Sequence, residues 1–172
     1  MKYLDNLHTA RLFTRPLVYE DNVAWADFFA NKEASKYLTT LGEDDHKRRS
    51  IAWINRQLNR YQDDQYGLQA LVNKQTGEFI GQCGLLLQQL DGVTELEIGY
   101  HIFPKFWGLG FATEAAQAFK LYALQNRLGP SVISIIHQGN TTSKRVAEKN
   151  GMHREKATQF FGLDVFVYRL VF

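Results

Sequence analysis

A single cysteine, Cys83, leaves no disulfide to be made within the chain and too few thiols for a Cys-rich structural zinc site. A reducing, cytoplasmic setting is the expectation. No uninterrupted apolar run approaches the ~20 residues a membrane span needs. The opening residues Met1-Lys2-Tyr3-Leu4-Asp5-Asn6 are too polar for a signal peptide, so no membrane association is expected. An excess of one charge is lacking too. Lys and Arg number 20 against 18 Asp and Glu and are interspersed with them, so no broad field exists to hold nucleic acid. Five histidines are scattered without a His-x-x-x-His spacing, and no metal site is expected. No Pro/Ser-rich linker, repeat or low-complexity stretch interrupts the chain, which predicts one domain over residues 1–172.

What is present is the balance of an ordinary globular protein, 45% hydrophobic and 22% charged. The first strand is expected over residues 11–15, ending at Pro16. Helical spacing follows over residues 20–38 through Val23, Trp25, Phe28 and Phe29. A second helix is expected over residues 45–61, with a stripe of Ile51, Ile54, Leu58 and Tyr61. The run His46-Lys47-Arg48-Arg49 reads as the solvated start of that helix, with Glu43, Asp44 and Asp45 as its cap. Residues 66–72, 79–90 and 94–103 then read as three strands of an antiparallel meander. They are separated by Lys74-Gln75-Thr76-Gly77 and Asp91-Gly92, both hairpin turns by composition. Helix returns over residues 110–127 with a small-residue face (Ala112, Ala115, Ala116, Phe119, Ala123), stopped by Gly129-Pro130. A strand over 131–137, a short helix over 142–149 closed by Asn150-Gly151, and strands over 154–160 and 165–172 complete the chain. The order is β-α-α-β-β-β-α-β-α-β-β, a mixed α+β sheet with one strand-helix-strand crossover.

The most informative segment runs from Ile102 to Ala115. A strand ends, a turn with Gly108 and Gly110 follows, and a helix begins. The first amides of a helix have no intrahelical partner and carry the positive end of the helix dipole. Glycines let a pyrophosphate approach the backbone without meeting a Cβ. The spacing is neither a P-loop nor a full dinucleotide fingerprint, because Thr113 stands at the third glycine position and no acid follows the next strand. On the two glycines alone, a tight connection explains the turn as well as an anion cradle does.

The stretch Glu97-Ile98-Gly99-Tyr100-His101-Ile102, followed by Trp107-Gly108-Leu109-Gly110-Phe111-Ala112-Thr113-Glu114-Ala115, resembles the acetyl-CoA motif of the GNAT N-acetyltransferase superfamily. Trp107 stands in the usual Gln/Arg slot, with Gly110 and Ala112 in the two small slots. Asn140-Thr141-Thr142-Ser143 through Lys149-Asn150-Gly151-Met152 resembles the Asn-x-x-Ser helix of the branch that acetylates ribosomal-protein N-termini (RimJ/RimL-like). Met152 replaces that branch's phenylalanine. Thr9-Ala10-Arg11-Leu12 and Arg15-Pro16-Leu17 are similar to the branch's opening strand.

The resemblance implies the GNAT fold, acetyl-CoA as co-substrate, no metal, and direct transfer of the acetyl group to a primary amine in a ternary complex. A non-catalytic acyl-CoA sensor is the other reading. Two strands ending near Phe103 and His137 would splay to admit pantetheine along the backbone of His101, Ile102 and Phe103. The turn of Trp107, Gly108, Leu109, Gly110, Phe111, Ala112 and Thr113 would hold the pyrophosphate. Glu97 is the favoured base, acting through a water, with a solvated strand carboxylate as the bland reading; His101 is the second candidate and Tyr100 a wall. The superfamily's usual tyrosine acid falls at Ala147 here. Ser143 is the substitute donor to the coenzyme sulfur, and Asn140 caps its helix beside the coenzyme. The acceptor, a small amine or a peptide N-terminus, would enter between residues 31–49 and 159–166. Phe160, Phe161 and Phe166 read as packing, with an acceptor wall as the alternative. Cys83 reads as a buried small hydrophobe and His137 as structural or solvent-facing. The family's habit of dimerising leaves a homodimer open.

Overall fold

The structure is a computed structural model and describes residues 6–39 and 42–172. Met1 to Asp5 of the opening stretch, and Thr40 and Leu41 of the expected acceptor region, lie outside the described residues. The elements are β1 (Leu12–Pro16), α1 (Asp21–Ala30), α2 (Lys32–Ser35), α3 (His46–Gln62), β2 (Leu68–Asn73), β3 (Phe79–Leu90), β4 (Val93–Ile102), α4 (Phe111–Gln125), β5 (Ser131–His137), α5 (Thr141–Lys149), β6 (His153–Phe160) and β7 (Leu163–Val171). A 3₁₀ turn at Pro104–Phe106 links β4 to the loop before α4. All seven strands form one sheet in the order β1-β2-β3-β4-β5-β7-β6, antiparallel everywhere except between β4 and β5. The α+β class and the single crossover read from the sequence hold. Among the described residues, no helix is long and apolar enough to cross a membrane.

The alternation of the meander divides its side chains between two cores. Leu71, Leu85 and Ile98 face α4, whose Ala115, Ala116 and Ala123 flank the fully buried Phe119. Leu68, Ala70 and Leu86 face the opposite way, onto Trp25, Phe28 and Phe29 of α1 and Trp53 and Ile54 of α3. The α3 stripe differs from the expected one. Its buried residues are Ser50, Trp53, Ile54 and Gln57 at i, i+3, i+4 and i+7, while Ile51 and Leu58 are only partly buried. Polar groups decide this rotation. Trp53 Nε1 donates to Gln82 Oε1 at 2.9 Å, and Gln57 Oε1 accepts from the Leu68 amide at 2.9 Å, so α3 is bonded to the sheet through polar side chains that hydropathy alone assigns to solvent.

Three further expectations are corrected. Val23 is exposed, because α1 presents only Trp25, Ala26, Phe28 and Phe29 inward besides Asp21. The helix expected over residues 20–38 breaks at Asn31, whose backbone is extended and whose side chain caps α2 by accepting from the Ala34 amide at 3.0 Å. The crossover helix ends at Gln125, ahead of Gly129-Pro130, because Arg127 adopts a positive φ and the chain leaves the helical path there. Asp45, by contrast, caps α3 as expected, accepting from the Lys47 and Arg48 amides.

The feature that positions the site is a gap in the sheet. β4 is paired to β3 from Val93 to Ile102, and β5 to β7 from Ser131 to His137. Between β4 and β5 the ladder is limited to Glu97 opposite Ile133, with Ser134 Oγ donating to the Ile98 carbonyl at 2.9 Å. Each strand is held on its outer side and diverges on its inner one, so the splay implied by the resemblance is present. At Gly81 of β3 a Cβ would overlap the His101 carbonyl oxygen of β4. Only glycine fits there, and that contact fixes the backbone beneath the His101 ring.

Candidate active site

At the mouth of the gap, Gly108 and Gly110 take φ of 77° and 82° and fold the chain back into α4. A Cβ at Gly108 would meet nothing within 4 Å, and one at Gly110 would meet only Arg11 Nη2 at 3.5 Å. The first intrahelical bond of α4 runs from the Glu114 amide to Gly110 O. Among the described residues, no acceptor takes the amides of Gly108 through Thr113. Six consecutive donors at a helix N-terminus fit an anion as large as a pyrophosphate. Trp107 is different. Its amide donates to Pro104 O and its indole Nε1 to Ile102 O at 2.7 Å, so it anchors the turn to the end of β4. Phe103 is likewise committed, its amide to Ile80 O and its carbonyl to the Phe106 amide. Trp107 therefore lacks the free amide that the resemblance implied for it.

A clip that sequence reasoning did not find holds the turn from behind. Glu114 Oε1 accepts from Thr9 Oγ1 (2.6 Å) and from the Arg11 amide (2.8 Å), and its Oε2 pairs with Arg11 Nε at 2.6 Å. Arg11 Nη1 also donates to Leu109 O at 2.9 Å, and the guanidinium lies 4.3 Å over the Phe111 ring. The opening strand thus braces the cradle, and these contacts with Thr9 and Arg11 hold the Glu114 carboxyl below its usual value despite partial burial.

Behind the turn the gap widens into a cleft of about 190 Å³. Glu97, Gly99 and His101 alternate onto its α3 side, while Tyr100 and Ser134 line it from the gap. Ser143 and Asn140 close one wall from the start of α5. Glu97 is only 8% exposed, so it is not a solvated strand carboxylate. Burial raises its pKa. The opposing influences are Gln88 Nε2 donating to Oε2 at 2.7 Å, the Ile135 amide at 3.4 Å and the charges of Arg60 and Arg56. His101 sits edge-on to Trp53 at 5.1 Å and Phe28 at 6.2 Å, and burial pushes its pKa down to about 4. Its imidazole is neutral and a weak base at pH 7, which ranks it below Glu97.

Asn140 accepts from the Ser143 amide at 3.0 Å, the cap expected of it. Ser143's carbonyl accepts from Tyr100 Oη at 2.8 Å, so the turn carrying the Ser143 hydroxyl is tied across the gap to β4. Tyr100's pKa is pushed up, chiefly by burial, which suits a fixed wall. Ala147 is buried in the core and holds no proton donor. Cys83 is fully buried on β3 and burial pushes its thiol up, so no acyl-cysteine route is served.

The far end of the cleft joins both regions expected to admit the acceptor. Tyr37, Leu38 and Thr39 follow α2, and Phe160, Phe161 and Leu163 come from the β6–β7 hairpin. Phe160 and Phe161 line the cleft, Phe160 also packing against Leu90, Ile133 and Val167, whereas Phe166 packs on the core beneath Lys144 and Arg154. His137 is also a wall residue. It stacks on Tyr37 at 4.7 Å, and Tyr37 Oη donates to Gly139 O at 2.9 Å, so together they bridge the cleft's end. Sequence reasoning also missed Trp53, Arg56, Gln57 and Arg60 of α3 and Gln88 of β3. The only signal for the four on α3 was their shared helix face, which a hydropathy pattern does not resolve. Arg49, read as solvated, instead donates to the Leu38 and Thr39 carbonyls at 2.9 and 2.7 Å and lies over the Phe29 ring.

A family profile described as the acetyltransferase (GNAT) domain matches residues 11–153. The chain belongs to the GNAT acetyltransferase family. Bacillus subtilis YkkB, an uncharacterized protein, is 39% identical to this GNAT chain over 124 residues, 71% of each. The uncharacterized N-acetyltransferase p20 of Bacillus licheniformis is 28% identical over 98% of this chain and 97% of its own. Among solved structures, an acetyltransferase from Agrobacterium tumefaciens C58 superposes with a TM-score of 0.78 at 26% identity, covering 99% of this chain and 96% of its own. RimL, a ribosomal L7/L12 α-N-protein acetyltransferase solved with coenzyme A, shares the fold with a TM-score of 0.74 at 14% identity, covering 97% and 98%. The GNAT protein described here is accordingly an acyltransferase, and its seven-stranded sheet is the GNAT sheet.

Proposed function

We propose that this enzyme transfers the acetyl group of acetyl-CoA to a primary amine by direct attack in a ternary complex. One observation carries the reading. Six unpaired amides, Gly108 to Thr113, lie at the mouth of a strand gap that leads to a cleft holding Glu97 and Ser143. The coenzyme in complex with RimL is of the kind those amides fit. Acetyl-CoA, when bound, supplies a thioester carbon open to attack.

The chain's own residues meet the remaining needs. An aliphatic amine titrates near ~10.4, so about one in a thousand is neutral at pH 7 and a base must take its proton. Glu97 is that base. Its burial raises its affinity for a proton, and Gln88 fixes its orientation. Ser143 donates its hydroxyl proton in a hydrogen bond to the departing sulfur, held in place by the Asn140 cap and the Tyr100 bond. The aromatic walls exclude water from the reacting atoms. A buried carboxylate in the cleft beside the strand gap favours catalysis over mere acyl-CoA sensing.

Calorimetric titration with acetyl-CoA tests the reading, with saturable binding at one site per chain expected. A folded protein giving no binding heat at millimolar coenzyme would overturn it. Ser143→Ala is expected to lower kcat about tenfold, the loss of one hydrogen bond to a charge-developing atom, with little change in acetyl-CoA affinity. An unchanged kcat in a regime where chemistry limits turnover removes Ser143 from the mechanism.

A further inference from the structure

α3 turns two guanidinium groups toward the acceptor end of the cleft. Arg56 and Arg60 stand one helical turn apart, and both line the cleft with Phe160, Phe161 and Leu163 of the closing hairpin. Other arginines of the chain find carboxylates: Arg11 with Glu114, Arg15 with Asp21, Arg169 with Glu95 and Glu155. Among the described residues, no carboxylate lies within ion-pair distance of Arg56 or Arg60. Arg60 donates to the neutral Gln57 Oε1 at 3.2 Å, and Arg56 faces the Phe161 ring at 5.9 Å. Glu97 feels both charges without contacting either. Like charges four residues apart on a helix repel; Arg56 is exposed, while Arg60 is partly buried and opposed by the charge of Glu97, which lies beyond contact distance. A bound anion relieves the repulsion, and the planar guanidinium fork matches a carboxylate or phosphate.

We infer that the acceptor is a small amine carrying its own acidic group, a carboxylate or a phosphate, which Arg56 and Arg60 bind while the amine is presented to Glu97. The inference rests on the acetyl-transfer reading above. The cleft's aromatic walls suit a short carbon skeleton between the two polar ends. The same two charges disfavour a polyamine. In the acidic run before α3, Asp45 caps the helix and Glu43 lies 3.8 Å from Arg48.

The test is acetyl-CoA-dependent transfer, read as CoA thiol release, with matched acceptors. An α-amino acid is compared with its amide and its decarboxylated amine, phosphoethanolamine with ethanolamine, and spermidine stands alone. The acid-bearing member of a pair is expected to show a kcat/KM at least tenfold above its acid-free counterpart, and the better pair tells carboxylate from phosphate. Arg56→Gln and Arg60→Gln are each expected to raise KM for that acceptor about tenfold or more, with a smaller change in kcat. If the arginines served only to tune Glu97, the acid limb of the kcat profile would move upward and KM would not, which overturns the inference. Equal or better use of acid-free amines also overturns it and leaves acetyl transfer standing, as does a protein that binds acetyl-CoA yet acetylates no acid-bearing amine. Failure to bind acetyl-CoA overturns the reading beneath it and the inference with it.

Discussion

Glu97→Gln is expected to lower kcat by about 10²- to 10⁴-fold, the range that a positioned general base contributes. The side chain is buried beside the gap, and glutamine keeps its size while removing its ability to accept a proton. In the wild type, kcat falls as pH drops through the Glu97 pKa, and because burial raises that pKa the acid limb lies above the ordinary glutamate range. The variant should lose that limb along with the rate. Stability should move in the opposite sense. A carboxyl whose folded pKa is raised binds more protons folded than unfolded, so its contribution to stability falls as pH rises from the ordinary value through the raised one. Above that window the wild type carries an ionised buried carboxylate, a cost that glutamine removes. Thermal melts at pH 8 should therefore show a Tm for Glu97→Gln no lower than the wild type's. A variant with full kcat and an unaltered acid limb ends the role of Glu97 as base. In that case the neutral, weakly basic His101 is the remaining imidazole on the same side of the cleft.

Gly110→Val is expected to weaken acetyl-CoA binding about tenfold to a hundredfold, with Gly110→Ala between it and the wild type. Two effects act together. At φ of 82° a β-branched residue is strained by roughly 1–2 kcal/mol, which loosens the turn. The new side chain would also stand beside the unpaired amides proposed to hold the phosphates, and hydrogen bonds to a charged group are worth about 1.5–3 kcal/mol each. Packing is not the obstacle, since the nearest atom to a Cβ is Arg11 Nη2 at 3.5 Å. The Arg11–Glu114 clip is expected to keep α4 in place, so the defect should appear in calorimetric affinity more than in the melting curve. A Gly110→Val variant that binds acetyl-CoA like the wild type would separate the turn from coenzyme binding.

The elements that repeat with a clear period were legible in the sequence. β3 and β5 fell on the expected residues, and the Asp91-Gly92 turn and the Asp45 and Asn140 caps were each written in residues that local geometry demands. The turn before α4 was legible for the same reason, because its two glycines take the positive φ that folds the chain back into the helix. Capped and periodic segments carry their instruction within a few residues. The places where local reading failed are those where distant atoms compete. Asn31 stopped a helix that hydropathy would have continued, and Gln57 and Trp53 rotated α3 because the sheet offered them partners.

The sequence by itself therefore determined the α+β order, the crossover and the glycine turn before α4, since those depend on local spacing and on a motif contiguous in the chain. The tertiary structure alone decided which candidates share a site. Glu97 acquires its raised proton affinity only from burial behind α3, and Arg56 and Arg60 face the cleft only because polar bonds to β2 and β3 set the rotation of their helix. Desolvation and charge proximity belong to three-dimensional neighbours, and no spacing along the chain encodes them.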